Sequence, residues 1–294
     1  MPTILVTGAQ GQVGRELQLL AEEFPDWDWH FRSREELDLT ERNALDDFFA
    51  AYEPDYCLNC AAYTAVDLAE EQPERAFAVN VLGVRSLAEA CAEHHCFLIH
   101  LSTDYVYHGS QTAPFRETDP THPRGVYART KLEGEQMALQ VNRHTMVIRT
   151  SWLYAPFGKN FVRTMLRMAA EGKSLRVVDD QIGSPTYALD LARLMLTVVE
   201  RIDRDEIHYR DCCGVFNYSN AGATTWYGFA EAIFALRQVQ PELKPIPTSE
   251  YPTPAERPPN SLLDKSKITA LLGLEIPDWK ESLAHCLQRI GDIG

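Results

Sequence analysis

The sequence TILVTGAQGQVG, residues 3–14, predicts how the chain begins to fold. Its first five residues form a short apolar, β-branched run, which is typical of a buried strand. Gly8, Gly11 and Gly14 follow, and a helical pattern begins directly after them. Glycines between a strand and a helix let the backbone turn tightly and approach a diphosphate, which a helix N-terminus can bind. The spacing G-x-x-G-x-x-G differs from the usual dinucleotide fingerprint, so a glycine-rich turn without a ligand is the alternative. The neighbouring strand and helix favour a dinucleotide site.

The first half of the chain alternates short apolar runs with helical patterns. Further strands are predicted at residues 27–31, 55–60, 97–101 and 145–150. Such alternation predicts a parallel sheet covered by helices on both faces. We therefore expect an α/β fold, with a Rossmann-type doubly wound parallel sheet formed by residues 1–150 and a returning helix at about 186–203. The segments at about 151–185 and 204–294 are expected to form a smaller C-terminal α/β substrate-binding lobe.

Two details of this division can be compared directly with a structure. One long helix is predicted to follow Asp67 and to continue to about Cys91, with Pro73 near its start. Beyond residue 203 we expect short strands, proline-rich loops and two more helices.

A second group of polar residues follows the predicted strand at 97–101. Residues 102–104, Ser-Thr-Asp, would stand at its carboxyl end. Tyr127 and Lys131 are four residues apart at the start of a helix, so their side chains share one face. A free phenol has a pKa of about 10, and a nearby cation such as Lys131 would favour its ionised form. The pair is therefore a candidate for proton transfer, although a short motif of this kind also occurs by chance.

Composition limits the function classes. The 294 residues carry a net charge of −14, which disfavours nucleic acid or an anionic membrane as a partner. Seven cysteines without a framework spacing favour a reduced, cytoplasmic protein. Cys57 and Cys60 would point to opposite faces of a strand and have no second pair, so no metal site is predicted there. We find no targeting segment and no apolar run long enough to span a membrane.

Together these features resemble the extended short-chain dehydrogenase/reductase superfamily, and within it the dTDP-4-dehydrorhamnose reductase family. The resemblance extends over almost the whole chain. Five further motifs contribute to it, at residues 59–67 (NCAAYTAVD), 102–107 (STDYVY), 149–154 (RTSWLY), 181–186 (QIGSPT) and 257–261 (RPPNS). The last three lie outside the nucleotide-binding half and distinguish the family from the superfamily.

The resemblance implies a hydride transfer from NADPH or NADH to the C4 ketone of dTDP-4-dehydro-6-deoxy-L-mannose, which yields dTDP-L-rhamnose. Tyr127 would donate the proton, and Thr103 would hydrogen-bond the ketone oxygen. Lys131 would stabilise the phenolate and hold the nicotinamide ribose. Asn80 would support the active site through backbone contacts.

The resemblance also implies the binding residues. Those for the cofactor are Gly8, Gln10, Gly11, Gln12, Val13, Gly14, Arg32, Asp38, Leu39, Ala61, Ala62, Tyr63, Thr64, Tyr127 and Lys131. Those for the substrate are Thr103, Asp104, Tyr105, Trp152, Asn160, Arg257 and Ser261. For Trp152, packing on the C–H face of the sugar and packing in the core are equally compatible with the sequence. Asp104 either contacts sugar hydroxyls or orients its loop.

Two arginines follow the predicted second strand. An acidic residue at this place usually binds the ribose hydroxyls of NAD, whereas an arginine accommodates the 2′-phosphate of NADP. Arg32 and Arg34 therefore favour NADPH, although arginines are also ordinary surface residues after a strand.

Some family members are magnesium-linked dimers that use glutamates near the first helix. Glu16 matches one such position, but Leu189 stands where a partner carboxylate is expected. No catalytic metal is predicted, because this hydride transfer does not require one. A monomer or a homodimer is expected.

Two other classes remain open. The regulatory β subunit of methionine adenosyltransferase resembles the same family and binds a dinucleotide without making rhamnose. A nucleotide-sugar 4-epimerase or 4,6-dehydratase is the other alternative. Dehydratases usually place Asp-Glu after the threonine, whereas here Asp104 and Tyr105 follow it.

Overall fold

The computed structural model describes residues 1–109 and 111–291. Its strands are β1 Thr3–Thr7, β2 Asp28–Arg32, β3 Tyr56–Asn59, β4 Phe97–Thr103, β5 Thr145–Thr150, β6 Leu153–Tyr154, β7 Leu175–Val178, β8 Ile182–Gly183, β9 Thr186–Tyr187, β10 Gly214–Asn217, β11 Thr224–Thr225, β12 Leu243–Ile246 and β13 Asn260–Ser261. Its α-helices are α1 Gln12–Leu20, α2 Arg42–Tyr52, α3 Val66–Glu71, α4 Pro73–Phe77, α5 Val84–Glu93, α6 Gly125–Val141, α7 Phe161–Ala170, α8 Ala188–Asp203, α9 Trp226–Arg237, α10 Ser266–Leu272 and α11 Trp279–Ile290.

The largest sheet has six parallel strands in the order β2, β1, β3, β4, β5, β10. From β1 the chain passes to β2 on one side and then to β3 on the other. Ligands of doubly wound sheets bind at such a switch point, beyond the carboxyl ends of the strands. The predicted α/β, Rossmann-type fold is confirmed.

Burial on both faces explains why the central strand is a continuous apolar run. Ile4 and Val6 pack in the core that includes Leu17 of α1, whereas Leu5 packs on the other face in the core that includes Phe49 of α2. Side chains that alternate along a strand reach opposite faces of a sheet, and parallel sheets with helices on both faces bury both. Each fully buried aliphatic side chain contributes about 1.5–3 kcal/mol relative to exposure.

The remaining strands form three small sheets outside the six-stranded one. Strand β8 pairs antiparallel with β11 and parallel with β13, β7 pairs with β12, and β6 pairs with β9. The segment after residue 203 departs from the prediction in two ways. Its residues 214–217 form β10 and extend the large sheet beside β5, and its described part contains three helices instead of two. A four-residue strand leaves too short an alternation to reveal which sheet it joins.

The predicted long helix from Asp67 to Cys91 is wrong. The chain instead forms α3, α4, a π-helical turn at Ala78–Gly83 and then α5. Pro73 lacks the N–H that would continue α3, and Gln72 before it leaves the helical conformation with φ −128° and ψ 55°. In the part of the chain that the structure describes, no helix is both long and apolar enough to cross a membrane.

Candidate active site

Three glycines shape the turn between β1 and α1. Gly8 has φ +66°, and a Cβ on it would lie 2.6 Å from the backbone nitrogen of Ala61. A Cβ on Gly14 would lie 2.5 Å from the carbonyl oxygen of Gly8, so glycine is needed for α1 to pack against the turn. The backbone N–H groups at the start of α1, from Gln12 onward, are available to an anion. This turn fits the diphosphate of a dinucleotide.

A cleft of about 750 Å³ opens beyond the carboxyl ends of the strands. This volume lies within the roughly 300–1,000 Å³ of cofactor and ligand sites. Most of the predicted site residues line it, namely Gly8, Gln10, Gly11, Gln12, Val13, Asp38, Leu39, Ala61, Ala62, Tyr63, Thr64, Thr103, Asp104, Tyr105, Tyr127, Lys131 and Trp152. One cleft thus contains the glycine turn and the candidate proton donor.

Tyr127 lies on the first turns of α6 and is buried against Thr103 at the end of β4. Its phenol lies beside the Thr103 hydroxyl, which donates to Asp104 Oδ1 at 3.1 Å and accepts from the backbone N–H of Tyr105 at 3.2 Å. Burial, with the Asp104 charge adding to it, raises the pKa of Tyr127 to about 12. Tyr127 therefore carries its proton at neutral pH. The direction is opposite to the one expected from a neighbouring lysine, because burial has the larger effect.

Lys131 lies one helical turn further along α6 and is also buried. Its Nζ donates to the carbonyl oxygen of Leu101 at 2.7 Å and lies 3.5 Å from Nε2 of His100. Burial lowers the pKa of Lys131 to about 8, and the charge of Glu135 opposes this effect. At neutral pH the ammonium remains charged and faces the cleft.

Asp104 is a buried carboxyl group beside the proposed proton donor. Burial raises its pKa to about 6, although the hydroxyls of Ser261 and Thr103 oppose the shift. Its Oδ2 makes no hydrogen bond of good geometry to another described residue. Asp104 lines the cleft, and this oxygen is enclosed beside Ser261.

Asn80 supports the cleft from the π-helical turn. Its side-chain amide pairs with both backbone groups of Tyr63, at 2.9 and 3.2 Å, and donates to Thr130 Oγ1 at 3.1 Å. A Cβ on Gly134 would lie only 2.0 Å from the carbonyl oxygen of Asn80, so α6 packs directly on this turn. These contacts fix the part of the cleft wall that contains Tyr63 relative to α6, the helix that carries Tyr127.

Five predicted site residues do not line the cleft. Gly14 lies beneath the turn, and the guanidinium of Arg32 lies over the ring of Phe48 at 5.1 Å. Asn160 caps α7 and donates to Gln12 at 2.9 Å.

The other two lie in the segment before and within β13. Arg257 donates to Asp67 of α3 at 2.7 Å, and Ser261 is buried beside Asp104. The positions of Arg257 and Ser261 depend on contacts with side chains that are distant in sequence. A local sequence pattern cannot reveal such contacts.

Several cleft residues were not among the predicted binding residues. They are Ser33, Glu35, Leu37, Cys60, Val66, Val79, Leu101, Ser102, Thr150, Ser151, Leu153, Gly158 and Lys159. Arg34, which the sequence analysis connects with NADPH together with Arg32, does line the cleft, and the same strand-end rule could have indicated Ser33. Lys159 follows an irregular loop and gave no signal.

A buried ion pair lies directly behind the catalytic candidates. Glu135 accepts from Arg149 Nη2 at 2.6 Å and also from the hydroxyl of Ser102. Arg149 Nη1 donates to the Tyr107 hydroxyl at 2.6 Å. Glu135 stands four residues after Lys131 and eight after Tyr127, a helical spacing that could have indicated it.

Glu16, which matches a metal-linked position of some family members, is paired with an arginine in the structure. Both oxygens of Glu16 accept from Arg289 Nη1, at 2.8 and 2.9 Å, and the same nitrogen donates to the Tyr187 hydroxyl. Among residues 1–109 and 111–291, no group of three His, Cys, Asp or Glu side chains could hold a metal ion.

A model of the family described as the RmlD substrate binding domain matches residues 2–291. The chain belongs to this family. A dTDP-4-dehydrorhamnose reductase of Aggregatibacter actinomycetemcomitans is 39% identical, over 97% of this chain and 98% of the relative. A probable dTDP-4,6-dihydroxy-2-methyloxan-3-one 4-ketoreductase of Streptomyces antibioticus is also 39% identical, over 97% of this chain and 95% of its own.

A solved structure of similar sequence supports the same assignment. The dTDP-4-dehydrorhamnose reductase of Bacillus anthracis, in complex with NADP, is 32% identical and superposes with a TM-score of 0.91 over 98% of this chain and 99% of its own. The resemblance inferred from the sequence motifs is thereby confirmed.

Proposed function

We propose that the protein catalyses the NADPH- or NADH-dependent reduction of the C4 ketone of dTDP-4-dehydro-6-deoxy-L-mannose to dTDP-L-rhamnose. One observation carries the proposal: the glycine turn after β1 and the set Thr103, Tyr127 and Lys131 line a single cleft. A dinucleotide on the turn would extend along the switch point toward these three side chains. The reductase relatives support the choice of substrate.

The protein's part in the reaction is to bind, orient and protonate. The nicotinamide, when bound, supplies the hydride. Tyr127, which is protonated at neutral pH, donates to the ketone oxygen as that oxygen becomes an alkoxide. Thr103 hydrogen-bonds the same oxygen, and Lys131 stabilises the phenolate that remains. Asp104, which lines the cleft, accepts from a sugar hydroxyl.

The cofactor preference is proposed to be for NADPH. Ser33 and Arg34 line the cleft directly after β2, where the 2′-phosphate of the adenosine ribose would lie. Arg34 Nε donates to Asp38 Oδ2 at 3.1 Å. This pairing weakens the positive charge that Arg34 offers to a phosphate but does not cancel it. The NADP complex of the Bacillus anthracis relative agrees with this choice.

A second candidate has the same chemistry on another sugar. The Streptomyces antibioticus relative is as similar as the first and bears the name of a 4-ketoreductase for a different dTDP-linked sugar. The set Thr103, Tyr127 and Lys131 would serve both substrates equally. The residues around the sugar, above all Trp152, would decide between them.

The activity is proposed to take place in the cytoplasm. All seven cysteines are free thiols, which agrees with a cytoplasmic protein. A net charge of −14 agrees with a small-molecule partner in place of nucleic acid or an anionic membrane. A monomer or a homodimer remains the prediction for the oligomeric state.

The test follows the absorbance of reduced nicotinamide with purified protein, NADPH or NADH, and the keto sugar generated in place from dTDP-glucose by the two upstream enzymes. Substrate-dependent oxidation that yields dTDP-rhamnose is expected, faster with NADPH. If cofactor binds without any oxidation, for this sugar and for the alternative 4-keto sugar, the non-catalytic binding subunit becomes the better account.

A further inference from the structure

Trp152 lies in the cleft wall, and its surroundings determine how it can meet a ligand. We infer that Trp226 is a positioning residue which, with Gly183, clamps Trp152 so that an edge of the indole, and not its face, recognises the sugar. The inference rests on the proposed function for the identity of the sugar. It differs from both interpretations that the sequence left open for Trp152, since the ring faces pack against protein and an edge meets the sugar.

The backbone at Trp152 adopts a conformation that a tryptophan rarely takes. Its φ is +47°, in the left-handed region that favours glycine. Flanking bonds hold the segment: the carbonyl oxygen of Trp152 accepts from the N–H of Thr186 at 3.1 Å, and the Ser151 hydroxyl donates to the carbonyl of Ser184 at 2.9 Å. Strain of this kind persists only where the surroundings fix it, and it clusters at ligand sites.

Trp226 covers one face of the indole. The ring centroids of Trp152 and Trp226 are 3.6 Å apart and the planes differ by 12°, so the two rings overlap almost completely. Trp226 is itself held at the start of α9, where its ring lies 4.8 Å from that of Phe161. A sugar therefore has no access to this face.

Gly183 covers the other face. A Cβ built on it would lie 2.5 Å from Cε2 of Trp152, 2.7 Å from Cζ2 and 2.9 Å from Nε1. Because the ring-fusion atom Cε2 is nearer than its two outer neighbours, the approach is onto the face of the ring and not along its edge. Gly183 cannot lie on the face that Trp226 covers, since two rings stacked at 3.6 Å leave no room for an atom between them.

With Trp226 on one face and Gly183 on the other, the half-buried indole would meet a ligand in the cleft at its edge. The one polar atom of the indole rim, Nε1, makes no hydrogen bond to another residue that the structure describes. An indole N–H is solely a donor, so it suits a sugar hydroxyl or another ligand oxygen.

The clamp belongs to the small sheet formed by β11, β8 and β13. Trp226 directly follows β11, Gly183 ends β8, and Ser261 of β13 is paired in register with Gly183. This sheet therefore holds Trp152 and also places Ser261 beside Asp104. A change at Trp226 should affect sugar binding and leave the glycine turn on the far side of the cleft intact.

The experiment compares wild type with Trp226→Leu, Trp226→Phe and Gly183→Ala. Two stacked indoles couple their electronic transitions, so wild type should show an exciton couplet in the circular dichroism spectrum that all three variants reduce. Calorimetric affinity for dTDP-L-rhamnose should fall about tenfold in Trp226→Leu, the effect of misplacing one hydrogen bond, and recover most of the loss in Trp226→Phe. Affinity for NADPH should stay unchanged in all of them.

Two results would overturn the inference. One is unchanged affinity for dTDP-L-rhamnose in Trp226→Leu after the couplet has been lost. The other is a strong upfield ring-current shift of the sugar C–H signals of bound dTDP-L-rhamnose that Trp152→Leu abolishes, since protons that lie over a ring face are shielded. Absence of turnover in wild type would count against the proposed function alone. The affinity for dTDP-L-rhamnose and the exciton couplet would still test whether Trp226 positions Trp152.

Discussion

Tyr127 illustrates how its surroundings determine what a phenol can do. Burial keeps it protonated, and the Thr103 hydroxyl orients it. A protonated, oriented phenol serves a reduction, in which the enzyme must give a proton to the developing alkoxide. The fixed hydrogen bonds around Thr103 ensure that little reorganisation accompanies the transfer.

Replacing Tyr127 with phenylalanine should lower kcat by a factor on the order of 100 or more, because a general acid contributes about 10²–10⁴-fold. Cofactor affinity should change little, and both quantities are obtained by steady-state kinetics and cofactor titration. Tyr154→Phe is the matched control: its buried hydroxyl has no hydrogen-bond partner among the described residues, and it is outside the cleft. Full activity in Tyr127→Phe would show that another group supplies the proton.

The titration of Lys131 should limit activity at high pH. A lysine whose pKa is lowered to about 8 by burial is charged below that pH and neutral above it, so kcat/KM should fall as pH rises through about 8. Tyr127, with a pKa of about 12, stays protonated throughout this window. The pH profile of Lys131→Arg should extend to higher pH, because a guanidinium remains charged. A wild-type profile that is flat up to pH 10 would contradict the assignment.

Arg34 and Arg32 offer a matched pair for the cofactor preference. Arg34 lines the cleft, whereas Arg32 lies over the ring of Phe48. Arg34→Ala should weaken NADPH binding and leave NADH binding almost unchanged, and Arg32→Ala should affect both little. Fluorescence titration with each cofactor measures this. Equal losses for NADPH and NADH in Arg34→Ala would show that it does not read the 2′-phosphate.

At the scale of elements, the site depends on how α6 is attached to the sheet. Glu135 of α6 binds Ser102 at the end of β4 and Arg149 at the end of β5, so one buried carboxylate ties together the segments that carry Thr103, Tyr127 and Trp152. Buried ion pairs contribute little net stability, since desolvation offsets their attraction. This ion pair is important because it fixes the position of α6 relative to β4 and β5.

Glu135→Gln should therefore lower both stability and kcat. The substitution leaves the buried Arg149 charge without its carboxylate partner. This should lower the free energy of unfolding by about 3–5 kcal/mol. Urea denaturation and steady-state kinetics below the unfolding transition give the two numbers.

The control for this prediction is Glu16→Gln. Glu16 is also fully buried and paired with an arginine, but Arg289 is 28% exposed and the pair lies between α1 and α11. Glu16→Gln should lose less stability and keep its kcat. If Glu135→Gln loses stability but keeps kcat, the ion pair only stabilises the fold.

Across the whole molecule, local sequence patterns predict those features that interactions between neighbouring residues determine. The apolar run of β1 and the three glycines predicted the turn because strand burial and a tight backbone approach demand those residue types. The four-residue spacing of Tyr127 and Lys131 likewise followed from helix geometry.

Other features depend on contacts between distant segments, and the sequence could not reveal them. The pairing of β10 with β5, the bond between Arg257 and Asp67 and the enclosure of Trp152 all join residues far apart along the chain. The break at Pro73 is different, since the proline itself indicates it even though the apolar pattern continues past it.

In the proposed reaction a hydride passes to C4 of the sugar while Tyr127 supplies the proton. The most direct measurement uses NADPH carrying deuterium at both C4 positions of the nicotinamide, with product analysis by mass spectrometry and NMR. One deuterium at C4 of the rhamnosyl group is predicted, with none at any other carbon. Unlabelled product, or label at another carbon, would contradict the account.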